Sequence, residues 1–456
     1  MSDRDVEDQP LLVNSSEQSS LSEVQQVTLK WENLNYTIDQ EKPLAVLKNV
    51  SGFANPREIL AIMGSSGSGK TSLLSILSQN LKITPNSHFS GDIFLNNIKK
   101  SNFNENRYIK FVMQESILYD FLTPYESLKF AVKLKLDNPK EGKDRINLLL
   151  HEFKLTSVAH SLIGNSLFKG LSGGEKKRVS IAYELISYPS ILIMDEPTSG
   201  LDSFIANSIM QLIKNILKLG VTVIISIHQP SHSIYQMFDR MILMQEGRFV
   251  YQGPAKASHL YFQKLGFFTD AHINPTEYYM KLLRIEDRNN LAVNEKQVME
   301  TLIEGYKNSE NKIWDDMKKL SLDENEISKI EKKTSFFHVL KWLLWREYIH
   351  YKRNYFLIVI KATTFIVFGV LVDIIFIDLG YDNKGMENRN GAISFYYVSL
   401  YFMIMFQHSV VIVCERDLVC KEISDKMYSV NTYLLSKLLF DLPIALIGNL
   451  IFVLII

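Results

Sequence analysis

The stretch Ile59-Leu60-Ala61-Ile62-Met63-Gly64-Ser65-Ser66-Gly67-Ser68-Gly69-Lys70-Thr71-Ser72-Leu73-Leu74-Ser75-Ile76-Leu77 decides the fold of this chain. Ile59–Met63 is an unbroken apolar run and reads as a buried strand; Ser72–Leu77 reads as the start of a helix. Between them, Gly64 to Thr71 fits G-x-x-x-x-G-K-[ST], a phosphate-binding loop. Its glycines let backbone N–H groups turn inward around phosphate oxygens. Lys70 would reach the outer phosphates, and Thr71 would place a hydroxyl on Mg²⁺. Ser72 opens the helix whose positive N-terminal end the phosphates would meet.

Four further marks follow in order. Gln114 comes after the apolar Phe111-Val112-Met113. Leu171-Ser172-Gly173-Gly174-Glu175 precedes a basic triplet, Lys176–Arg178. A serine and two glycines opening a helix make a second anion-binding end. Ile191-Leu192-Ile193-Met194 is a second apolar run, and Asp195 and Glu196 stand at its C-terminal end. That is where open α/β sheets bind ligands. Asp195 suits Mg²⁺ through water, and Glu196 suits a general base on the attacking water. His228 ends a third run, Val221–Ile227, one strand–helix–strand unit after Asp195.

In this order the marks resemble the ATP-binding cassette family: Walker A, Q-loop, LSGGE signature, Walker B with its glutamate, D-loop (Ser199-Gly200-Leu201-Asp202) and H-loop. The resemblance covers about residues 27–285. It implies an α/β P-loop cassette that takes ATP and Mg²⁺, with Gln114 joining Thr71 and Asp195 around the metal. It gives Glu196, His228 and Gln114 catalytic roles. It also implies that Leu171–Glu175 of one cassette cap the ATP held by another, so that two copies make one active unit. The family stacks adenine on an aromatic shortly before Walker A. Here the register puts Ile38 at that position, with Tyr36 one strand-face step away as the alternative.

The 456 residues carry Lys+Arg 50 and Asp+Glu 50. A zero formal balance argues against a nucleic-acid binder. Cys414 and Cys420 are too few for a disulfide framework. Residues 1–26 are polar and acidic and are expected to be a disordered cytosolic tail. From Tyr355 onward the chain turns apolar. Three spans are expected, at about 355–378, 392–413 and 438–456, with Lys361 snorkelling from the first and Asp441 and Pro443 interrupting the third. Ser335–Asn354 alternates apolar and basic residues at helical spacing, which fits an amphipathic helix on the cytosolic leaflet. Its basic end places the cassette inside the cell, with Glu415–Ser436 a cytosolic loop. Residues 286–334 are charged and weakly periodic and read as a linker that is helical in parts.

Cassette first and membrane helices second is the reversed order that resembles the G (White) subfamily of ABC half-transporters. Asn274-Pro275-Thr276-Glu277-Tyr278-Tyr279 is similar to its NPADF motif. Glu415–Glu422 is similar to the loop after its second span, and Tyr433–Pro443 to the entry of its third. The resemblance implies an all-α transmembrane domain, with about three of six helices present. It also implies a homo- or heterodimer with another half-transporter in the lipid bilayer, and export of a lipid, sterol or other amphipathic substrate. Arg346, Glu415 and Glu422 are expected to couple cassette closure to the membrane helices, and Phe402 to line the substrate cavity. The chain stops inside the third span, as expected of a fragment. Two alternatives stay open: a soluble cassette ATPase acting on DNA or the ribosome, and a truncated, non-transporting regulator that binds ATP and a full-length partner.

Overall fold

The structure, a computed structural model, describes residues 24–39, 43–81, 86–99, 105–136, 142–165, 168–268, 274–283, 297–308, 335–376 and 383–455. Its amino-terminal part is built on two sheets. β1 (Leu29–Ile38), β2 (Leu44–Ala54), β4 (Ser87–Leu95) and β5 (Ile98–Lys99) form an antiparallel sheet in the order β2-β1-β4-β5. β3 (Ile59–Gly64), β6 (Ile109–Val112), β7 (Ile191–Met194), β8 (Thr222–Ser226), β9 (Arg240–Gln245) and β10 (Arg248–Pro254) form the other, in the order β10-β9-β3-β8-β7-β6. All its pairings are parallel except the β9–β10 hairpin.

The sequence patterns explain the difference. β3, β7 and β8 are apolar almost throughout and buried at every position, as a parallel sheet covered on both faces requires. β1 alternates buried and less buried residues, so one face meets the core. Trp31 on that face is fully buried and lies over Gly52, where a Cβ would come within 2.6 Å of the indole. Five helices matter for the site: α1 (Lys70–Leu77), α2 (Pro124–Lys135), α3 (Gly173–Leu185), α4 (Ser203–Ile216) and α5 (Pro275–Leu282). A capping box of Thr123 and Glu126 with a proline at the first position starts α2, and a capping box of Ser172 and Glu175 starts α3.

The carboxy-terminal part is helical: α6 (Phe336–Arg353), α7 (Tyr355–Ile375), α8 (Asn383–Ser424) and α9 (Val430–Ile455). Among the described residues, Ile358–Ile375 and Val430–Ile447 are the helical windows long and apolar enough to cross a membrane. The expected span at 392–413 falls within α8, where several side chains lie outside the described residues.

The structure departs from the sequence reading at several places. The expected cytosolic loop Glu415–Ser436 is mostly helix, because α8 runs on to Ser424 and α9 already starts at Val430. Asp441 and Pro443 therefore sit inside α9 rather than interrupting it. Lys361 does not snorkel. Its ammonium is buried and donates to Tyr351 Oη at 2.8 Å, 3.4 Å from Asp441 Oδ1. A buried partner outweighs a longer reach to water. The helical segment 297–308 of the linker also packs on the cassette rather than standing apart from it, through Leu302 and Tyr306, four apart on one face. Residues 1–23 of the expected tail lie outside the described residues, whereas Val24 packs against the core.

Candidate functional site

Four adjacent strands deliver the site. The parallel strands β6, β7, β8 and β3 lie side by side. Gln114, Asp195–Glu196, His228 and the Gly64–Thr71 loop follow their C-terminal ends. Lys70, Thr71, Ser72, Gln114, Glu196 and His228 line one cleft of about 890 Å³ together with Ser66, Gly67 and Gly69.

The loop is shaped for an anion. A Cβ on Gly64 would sit 2.3 Å from the Met244 carbonyl oxygen, so only glycine permits this approach. Gly69 holds φ at 99° as it turns the chain into α1. Ser68 Oγ is buried without a hydrogen-bond partner. Lys70 Nζ donates to the carbonyls of Gly64 and Ser65, both at 2.9 Å, which curls its charge over the loop. Burial lowers the Lys70 pKa, opposed by Glu196 and Asp195. These features fit a nucleotide phosphate chain.

Asp195 and Glu196 are set by a residue that the sequence reading passed over. Ser226, the last residue of β8, donates to Asp195 Oδ1 and accepts from the Glu196 N–H at 2.8 Å. Its signal was a lone hydroxyl at the end of an apolar strand. Glu196 itself holds φ at 42°. Gln114 Nε2 donates to Glu196 Oε2 at 3.0 Å and to Ser199 Oγ at 3.4 Å. Lys177 on α3 fixes the Gln114 loop by donating to the carbonyls of Met113 and Gln114 at 2.9 and 2.8 Å. Burial brings its pKa down to about 8. Beyond His228, Gln229 holds φ at 100°, and Pro230 O accepts from Asn274 Nδ2 at 3.1 Å and Thr276 Oγ1 at 3.0 Å. The Asn274–Tyr279 motif is thereby tied to the His228 loop.

Other expected residues lie elsewhere. Leu171 and the cap Ser172 lead into α3, which Gly173–Glu175 open, and none of the five is among the residues lining the cleft. Ser172 and Gly173 are exposed, whereas Gly174 packs closely on Ile205 of α4. Asp202 caps α4 by accepting from the Ile205 N–H at 2.9 Å. The aliphatic wall of the cleft is Leu44, Ala45 and Val46. Ile38 pairs in register with Leu44, and Tyr36 is buried in the core.

A second constellation joins the sheets to the carboxy-terminal helices. Arg346 of α6 is fully buried and donates from Nη1 to both oxygens of Glu422, at 2.9 and 2.7 Å. Its guanidinium lies over the rings of Tyr119 and Phe130 at 4.8 and 4.7 Å. Glu415 accepts from Lys437 Nζ at 2.9 Å, Tyr433 Oη at 2.8 Å and Tyr119 Oη at 3.3 Å. Arg353, at the basic end of α6, donates to the Phe121 carbonyl at 2.7 Å and to Glu126 Oε1 at 2.8 Å. Helix α6 turns Phe337 and Tyr348 outward while Val339, Leu343 and Ile349 face the core. Phe402 on α8 is exposed in the single chain.

Comparison with known proteins agrees with this division. An ABC transporter family model matches residues 47–199. Two ABC-2 type transporter models match residues 338–456 and 228–347. ABC transporter G family member 14 of Arabidopsis thaliana is 32% identical over 447 residues, which cover 92% of this chain and 68% of that protein. The chain belongs to the G family of ABC transporters. Broad substrate specificity ATP-binding cassette transporter ABCG2 of Bos taurus is 33% identical, over 91% of this chain and 66% of its own length. Protein white of Drosophila melanogaster is 31% identical, over 89% of this chain and 60% of its own. The chain thus spans less than two thirds of the length of both. As a G-family chain it carries an ABC ATPase cassette followed by a helical ABC-2 membrane domain.

Proposed function

We propose that this chain is an ATP-driven transporter subunit that works as a pair of cassettes and exports a lipid, sterol or other amphipathic molecule. The observation that carries the reading is the split site. Lys70, Thr71, Gln114, Glu196 and His228 share one cleft, while Ser172 and Gly173 stand exposed at the start of a different helix. An anion-binding helix end facing outward suits a nucleotide held by a second copy or by another half-transporter.

The roles follow from the geometry. Lys70 exchanges two carbonyl partners for phosphate oxygens. Thr71, Asp195 and Gln114 would hold Mg²⁺, which when bound offsets phosphate charge. Ser226 fixes the Asp195 carboxylate, leaving its second oxygen for that task. Glu196, aimed by its own N–H bond to Ser226 and by Gln114, takes a proton from water, and His228 borders the same space. Gln114 and Lys177 connect that chemistry to the Tyr119 segment, which touches α6 and α8. Arg346, Glu415 and Glu422 then transmit closure to the membrane helices, with the cassette (about residues 27–285) in the cytosol and the spans from 355 onward in the bilayer. ATP drives the change only to the extent that it binds the closed pair better.

Two experiments test the reading. Glu196→Gln should retain labelled ATP while turnover falls by roughly 10²–10⁴-fold, the usual weight of a general base. Normal hydrolysis by that variant would remove Glu196 from the role. Glu415→Ala should leave ATP affinity unchanged yet weaken the effect of ATP on the membrane domain by about 5–150-fold, an ordinary coupling range. Undiminished transport by reconstituted Glu415→Ala would sink the coupling assignment.

A further inference from the structure

Three aliphatic residues at the start of β2, Leu44, Ala45 and Val46, line the cleft beside the phosphate loop. Their place is fixed from two sides. A Cβ on Gly69 would come within 2.9 Å of the Val46 carbonyl oxygen, and one on Gly247 within 2.3 Å. Both glycines hold a positive φ, 99° and 77°, so the loop and the β9–β10 turn close directly on β2. Further bonds lace that turn into the site. Ser65 Oγ donates to Gln245 Oε1 at 2.9 Å, the Gly247 N–H to the Ser68 carbonyl at 3.1 Å, and the Lys48 N–H to the Gly247 carbonyl at 2.8 Å. Lys48 and Glu246 line the same cleft next to the aliphatic wall.

A nucleotide with its phosphates in the Gly64–Thr71 loop would set its base against this wall, and the wall carries no ring. From Thr37 to Gly52 the sequence holds no aromatic residue. Tyr36 and Phe53, on either side of that stretch, are 6% and 1% exposed and belong to the core. Among the described residues lining the cleft, the imidazole of His228 is the one ring, and it follows β8, next to the strand that leads to Glu196. An aromatic platform contributes about 5–150-fold in affinity per base and favours the larger purine faces. An aliphatic wall offers area without that preference, and apolar surfaces separate similar ligands weakly. The polar groups are equally undemanding. Lys48 offers donors and Glu246 acceptors. Every nucleobase carries both a donor and an acceptor on its edge, so this pair excludes none of them.

We propose that the cassette selects the triphosphate and not the base, so that purine and pyrimidine nucleoside triphosphates occupy this cleft alike. The inference rests on the nucleotide-driven reading above and names the substrate class of the same site. Lys70, Thr71 and the loop N–H groups supply most of the affinity, and every nucleoside triphosphate meets them equally. Leu44, Ala45 and Val46 cover one face of whichever base is present.

Displacement of labelled ATP from the full chain in lipid nanodiscs, with Mg²⁺ present, tests this. Unlabelled ATP, GTP, CTP and UTP are the competitors, in the Glu196→Gln background to prevent turnover. GTP, CTP and UTP should each displace the label within about tenfold of ATP, the weak discrimination of an apolar surface. A preference for ATP above about tenfold over any of the three overturns the proposal and leaves the transporter reading in place. Leu44→Tyr puts a ring on the wall at a position that is 54% exposed. It should tighten ATP and GTP by about 5–150-fold, and CTP and UTP by less. A gain below about fivefold for ATP in that variant places the base elsewhere and overturns the wall assignment. The four competitors in the parent decide base selection even where the variant does not fold. A parent that retains no labelled ATP instead overturns the cassette reading on which the proposal rests.

Discussion

The two halves of this molecule are built to opposite patterns. In the cassette, apolar residues fill the interior: every residue of β3, β7 and β8 is buried, and Trp31 is sealed behind Gly52. In the carboxy-terminal helices the order inverts. Ile374, Ile375, Leu446 and Ile447 face outward, whereas Lys361 and Asp441 are buried. The cause is the solvent. Water drives apolar area inward, whereas hydrocarbon tolerates it outside and penalises every unpaired polar group. The lesson is that a charge buried at the junction is as informative as an apolar residue buried in the cassette.

The largest expected effect that would break this contrast comes from the buried pair. Asp441→Leu strands the Lys361 ammonium and should lower stability in detergent by about 3–5 kcal/mol. The double variant Asp441→Leu with Lys361→Met should recover most of that loss. A double variant as unstable as the single one would show that the pair is not what Asp441 mainly serves. Thermal unfolding of the three proteins decides it.

A smaller effect sharpens the cassette side. Lys177 has a pKa of about 8 in the fold, below the 10.5 ordinary for lysine. Between those values the unfolded chain keeps a proton that the folded one has lost. Stability should therefore rise with pH across that window and level off above it, by up to about 3 kcal/mol. Lys177→Met should flatten the rise in urea unfolding of the full chain. An unchanged slope would mean that the ammonium is better solvated than its burial implies.

The smallest effect is expected on the outward face of α7. Ile374→Ala removes a large apolar side chain that contacts little of the protein, and should change stability by less than about 0.5 kcal/mol. A loss comparable to a core truncation, about 2–5 kcal/mol, would mean that this face is covered by a protein partner rather than by lipid.

Much of the cassette was legible because its chemistry is local. The Gly64–Thr71 loop needs glycines at fixed spacing to bring backbone N–H groups together. Asp195 and Glu196 need only stand at the end of an apolar strand. For Gln114 and His228 the resemblance of the ordered motifs to the cassette family was needed as well, and both line one cleft with Lys70 and Glu196. Asp441 and Pro443 read as interruptions of the third span because a lone acid looks like one until its partner is known. Asp441 closes on Lys361, eighty positions away, and no period in either segment announces it.

The sequence by itself determined the α/β cassette, the phosphate site and the change of character near Tyr355, since each depends on residues close along the chain. Only the tertiary structure decided where the charges at the junction go. Arg346 reads as one polar residue on an amphipathic helix, yet it is fully buried against Glu422. Glu184 and Lys135 carry no signal in the sequence, yet they meet Lys421 and Asp425. Ion pairing in a dry seam is set by which elements pack together, and packing brings together residues that sequence spacing leaves hundreds of positions apart.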